Sequence, residues 1–65
     1  MTFCKILKAG KTAGGYDVEA VEYTNKFSDF TSYSVNVAEE GRCIYSATCA
    51  RTTWRRKYNE LQADF

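Results

Sequence analysis

The sequence predicts an α+β fold, a four-stranded antiparallel meander with one C-terminal helix packed on one face. Three observations carry that expectation. Apolar and polar residues alternate with period two over much of residues 2–46. Glycine-bearing breaks at 10–15 and 39–41 interrupt the alternation where hairpins would turn. From Ala47 onward, Ala47, Ala50, Trp54, Tyr58, Leu61 and Phe65 recur three or four apart, which forms one apolar stripe along an α-helix. No repeat, linker or low-complexity tract divides the chain, so residues 1–65 are expected to form a single small domain.

The first strand spans 2–9. Cys4 and Ile6 lie on one face, with Phe3, Lys5 and Leu7 on the other. Residues 10–15, Gly-Lys-Thr-Ala-Gly-Gly, form a turn, because tight turns need the positive φ that glycine adopts freely. Gly10-Lys11-Thr12 looks like the end of a phosphate-binding P-loop. That motif also needs a glycine at position 5, where this chain has Lys5.

The second strand spans 16–24. Tyr16, Val18 and Ala20 alternate with Asp17 and Glu19, and the apolar frame then slips by one to Val21 and Tyr23. Such a slip points to a β-bulge near Ala20. Residues 25–31 connect to a third strand at 32–38. There Tyr33, Val35 and Val37 share one face, and Ser34 and Asn36 the other. Glu39-Glu40-Gly41 closes the next hairpin, with Gly41 left-handed, and 42–46 make a short fourth strand. In the helix, Ser46 or Thr48 is the expected N-cap, Arg56 pairs with Glu60 one turn on, and Trp54 is the core anchor.

Composition narrows the chemistry. Hydrophobic residues at 45% and aromatics at 15% indicate a globular chain, since a disordered one would carry fewer aromatics and more net charge. Histidine is absent, which excludes Ser-His-Asp and Cys-His catalysis and any Cys2His2 zinc site. A pocket of catalytic size is also hard to build on so few elements, so the chain is expected not to be an enzyme. Cys4, Cys43 and Cys49 are odd in number and lack metal-ligand spacing. They are expected to be reduced, mostly buried thiols that bind no metal, and no cofactor is expected. No apolar run is long enough to span a bilayer, and the start is too short and interrupted for a signal peptide. A cytoplasmic protein, complete from Met1 and without a membrane partner, is the expectation.

The net charge of +1 hides an asymmetry. Residues 13–41 hold Asp17, Glu19, Glu22, Asp29, Glu39 and Glu40 against Lys26 alone. The C-terminal third holds Arg42, Arg51, Arg55, Arg56 and Lys57 against Glu60 and Asp64. One helix can cover only one face of a sheet, so some of the ten aromatics must lie outside the core. Tyrosine tolerates that position and is enriched in interfaces.

Small size, dense aromatic and charged surface and missing catalytic equipment are similar in type to the small accessory proteins of bacteriophages and mobile elements. Those include inhibitors of host enzymes and of defence systems such as CRISPR. The likeness is one of size and composition; no sequence motif carries it. It implies a non-enzymatic binding protein that blocks a larger host protein or complex in the host cytoplasm. The expected contact residues are Glu19, Glu22, Tyr23, Phe27, Phe30, Tyr33, Glu39 and Glu40. The second-ranked expectation is a nucleic-acid-binding or regulatory module using Arg51, Arg55, Arg56 and Lys57. The third is a homodimer that sequesters a small ligand at its seam.

Overall fold

The computed structural model describes residues 2–25, 27 and 30–65. Its elements are β1 (Thr2–Lys11), β2 (Asp17–Asn25), β3 (Phe30–Glu39), β4 (Arg42–Cys49) and α1 (Trp54–Asp64). The strands form one antiparallel sheet in the order β1-β2-β3-β4, and α1 packs across it. This is the expected α+β meander. Of the expected connection at 25–31, Lys26, Ser28 and Asp29 lie outside the described residues, and its ends, Asn25 and Phe30, belong to strands.

The helix-side core is small. Val18 and Ala20 of β2 and Val35 and Val37 of β3 pair across the sheet. With Tyr58 and Leu61 of α1 they form the buried cluster. Leu7, Tyr16, Cys49, Trp54 and Phe65 pack around it. At the C-terminal end of the helix, Phe65 stacks edge-on against Tyr16 and tilted against Tyr45. The β1–β2 loop is tied to the same end. The Ala13 N–H donates to the Gln62 carbonyl and Gln62 Nε2 donates to the Lys11 carbonyl, each at 2.9 Å.

Three local expectations need correction. The bulge lies in β1 rather than β2: the register passes from Ile6↔Val21 to Lys8↔Ala20, so Leu7 is the extra residue. β2 itself pairs without a break against β3. Its apolar slip therefore marks a change of sheet face. Val18 and Ala20 point to the helix, and Val21 and Tyr23 point away from it.

The helix also starts later than expected. Ala47 pairs with Val35, Thr48 with Ser34 and Cys49 with Tyr33, which extends β4 to Cys49. Tyr45, Ala47 and Cys49 satisfy a period of two as well as Ala47 and Ala50 satisfy a helical one, and pairing to β3 decides between them. The N-cap is consequently Thr53, not Ser46 or Thr48. Thr53 makes no side-chain cap bond; its Oγ1 accepts instead from the Ala50 N–H at 3.0 Å. Trp54 thus moves from the middle of the stripe to the first helical residue and is only half-buried, while Tyr58 is 1% exposed. Glu60 pairs with Lys57, at 3.8 Å, rather than with Arg56.

The cysteines are the third correction. Cys4 and Cys43 are exposed and Cys49 is half-buried. Cys4, paired with Tyr23, and Cys43, paired with Ala38, lie on the face away from α1, where no second layer covers them.

The β3–β4 turn follows its glycine. Glu39 pairs with Arg42, leaving Glu40 and Gly41 as a two-residue loop, with φ of 51° and 81°. Positive φ at both positions is the type I′ pattern that suits sheet twist. Gly41 adopts it without cost, whereas Glu40 carries a Cβ into left-handed space. Glu40→Asn should therefore stabilise the fold by about 0.5–1 kcal/mol. Thermal melts read by circular dichroism should show a rise of a few degrees. An unchanged or lower midpoint would contradict the strain assigned to Glu40.

Candidate partner-binding surface

The face away from α1 is built by the alternate residues of each strand. Lateral pairing places Cys4 beside Tyr23, Ile6 beside Val21, and Phe30 beside Asn25. Cys4, Ile6, Val21, Tyr23 and Phe30 therefore share one side of the sheet, toward the β2–β3 loop. Ile6 is 59% and Phe30 64% exposed, and Phe27, in the loop beyond, is 87% exposed. Val21 is fully buried although it is no part of the helix-side cluster.

The β3–β4 half of the same face is polar. Asn36 Oδ1 accepts from Ser46 Oγ at 2.7 Å and from Ser34 Oγ at 2.9 Å. With its oxygen used twice, the Asn36 amide nitrogen has two donors that find no acceptor among the described residues. Between the halves runs a shallow concavity of about 690 Å³, with Glu19, Tyr23, Asn36 and Cys43 among its lining residues. Asp17 on this face is paired with Lys11 at 2.6 Å. The face thus joins an exposed apolar end, an acidic group and a polar floor.

A second groove, on the helix side, is lined by Glu22, Thr31, Tyr33, Cys49, Ala50 and Arg51. Partial burial and then the neighbouring Glu22 carboxylate push the Tyr33 phenol above its ordinary pKa, with Arg51 opposing. Partial burial also raises the Cys49 thiol, against the pull of Lys57. A raised thiol is protonated at neutral pH and a weak nucleophile. Among the described residues no group of three or more Cys, Asp or Glu is placed to hold a metal ion, and no helix is long and apolar enough to cross a membrane.

The expected contact residues do not form one patch. Glu19, Tyr23 and Phe30 lie on the open face and Phe27 at its loop end. Glu22 and Tyr33 pair across the opposite, helix-side face. Glu39 and Glu40 sit at the β3–β4 turn, about 30 Å from Phe30 along β3. The basic set is also divided. Arg51 lines the groove with Glu22 and Tyr33. Arg55 stacks over the Trp54 ring at 5.2 Å. Arg56 and Lys57 flank the turn that precedes the helix.

Cys4, Ile6 and Val21 were missing from the expected contact set. The sequence carried a signal for Val21 alone, in the one-residue slip at Ala20–Val21; Cys4 and Ile6 join it only through the pairing of β1 with β2. No protein-family model, no curated protein and no solved structure matches this chain.

Proposed function

We propose that this protein is a non-enzymatic binding protein that acts by blockade, with the apolar end of the open sheet face as its contact. The observation that carries this reading is the change of apolar face along β2. Beyond Ala20 the helix side is given to Glu22 and Thr24, while Val21, Tyr23 and Ile6 face away from the helix. Placing apolar residues on an uncovered face is the pattern of a docking surface. In this reading the partner is a larger host protein, such as a host enzyme or a defence complex of the CRISPR kind, and the chain blocks it sterically.

The test compares two sets of exposed substitutions. Ile6→Glu with Phe30→Glu should weaken capture of the host partner by about 30-fold or more, the effect of losing a hot spot. Glu39→Lys with Glu40→Lys, at the far turn, should leave capture nearly unchanged. Both sets sit on exposed side chains, so the fold should tolerate them. Equal capture by all variants would refute the surface assignment.

One observation favours a second reading, nucleic-acid binding. Arg55, Arg56 and Lys57 occupy the first turn of α1, where the helix dipole disfavours cations, and that turn holds no acid. Helix stability therefore does not account for their position. If they hold phosphates, Arg51→Glu with Arg55→Glu and Arg56→Glu will abolish gel shifts of random DNA or RNA. Wild-type binding will then fall steeply with salt.

A further inference from the structure

The sheet has two free edges, and they are protected unequally. β1 carries Lys5, Lys8 and Lys11 and is kinked by the extra residue Leu7. Lysines and bulges are the usual defences of an edge against pairing with another strand. β4 has neither charge nor proline from Cys43 to Cys49. Ile44 and Tyr45 on it are 45% and 39% exposed. Its own bulge, between the pairs Val37↔Tyr45 and Ala38↔Cys43, leaves Tyr45 to Cys49 in regular register. As the last strand of the sheet, that stretch presents outward a row of backbone donors and acceptors that no other described strand pairs.

We propose that the outer edge of β4 pairs antiparallel with β4 of a second copy of this chain, joining two sheets into one of eight strands. A two-fold axis through Ala47 sets Tyr45 opposite Cys49 of the other copy, and Ser46 opposite Thr48. Both pairings keep side chains on matching faces. The residues that pair in this register, Tyr45 to Cys49, carry no charge, so no cation faces a cation across it. The strand is self-complementary in this register, as an isologous interface requires. A chain of this size also gains from association, because one small core supplies only a few kcal/mol. In the joined sheet both open faces lie on the same side, with the two β2 strands five strand spacings, or about 24 Å, apart.

The experiment is sedimentation equilibrium from micromolar to sub-millimolar concentration. The wild type should approach twice the 7.4 kDa chain mass. Ile44→Lys with Thr48→Lys, both on exposed β4 positions, should sediment as a monomer with an unchanged circular dichroism spectrum. Ala13→Lys with Asn59→Lys adds the same charge elsewhere and should stay dimeric. In parallel, amide exchange of the wild type should slow at β4 as concentration rises, a readout that needs no variant. A wild type that remains monomeric throughout, a β4 variant that still dimerises, or concentration-dependent protection confined to another element would overturn the proposal.

Discussion

Tyr58→Ala is expected to cost about 3–5 kcal/mol, the usual penalty for truncating a buried aromatic side chain. In a domain of this size that approaches the whole folding free energy. The ring is 1% exposed and forms a cluster with Val18, Ala20, Val35, Val37 and Leu61. Lys8 Nζ lies 4.7 Å from its centroid, so the side chain also carries a cation–π contact from β1. Truncation would open a cavity beneath the middle of α1 and free that lysine. Trp54→Ala should cost less than half as much, because Trp54 is half-buried at the first turn and packs only on the rim of the cluster. Thermal melts of the two variants check the order, at about 4–8 °C per kcal/mol for a small domain. A larger loss from Trp54→Ala would mean that the helix is centred one turn earlier than described.

A second large effect is expected at Gly10. A Cβ built there would lie 2.7 Å from the Tyr58 hydroxyl oxygen, which is closer than real Cβ contacts come. The backbone of β1 and the end of the Tyr58 ring approach because residue 10 has no side chain. Gly10 pairs with Val18 inside a strand, so turn geometry does not explain it. Gly10→Ala should destabilise by about 1–3 kcal/mol through overpacking. In a Tyr58→Phe background the opposing oxygen is gone, and most of that cost should vanish. The cycle would then return a coupling of about 1 kcal/mol or more. If alanine costs the same in both backgrounds, the penalty comes from β1 itself and the close approach is not the reason for the glycine.

The two predictions differ in how far the sequence anticipates them. The 3.6-residue stripe names Trp54, Tyr58 and Leu61 as helix-face residues. Which of them is the anchor depends on where the helix begins, and that is set by how far β4 pairs with β3. The close approach at Gly10 has no sequence signal distinct from the glycines of the adjoining loop. The contact surface shows the same division. Tyr23 and Phe30 are legible as aromatics left over from the core. Grouping them with Cys4, Ile6 and Val21, and separating them from Glu39 and Glu40, requires the lateral register of three strands.

Local chemistry in the chain was enough for the four strands, their meander order and the Glu40-Gly41 turn. Alternation, glycine placement and short connections act between neighbours in sequence. It was likewise enough for the inward faces of Val18, Ala20, Val35 and Val37, which follow from period two once the helix is known to cover one side. The tertiary structure decided what depends on strands meeting. The extra residue at Leu7 rather than in β2 is a matter of register between two strands. The β-state of Ala47 to Cys49 is a choice between two periodicities, settled by the hydrogen bonds β3 had to offer. The same slip of apolar frame fits a bulge or a change of face, because both shift the side chains by one position. Only the unbroken pairing of β2 with β3 separates them, and it leaves Val21 and Tyr23 facing away from the helix.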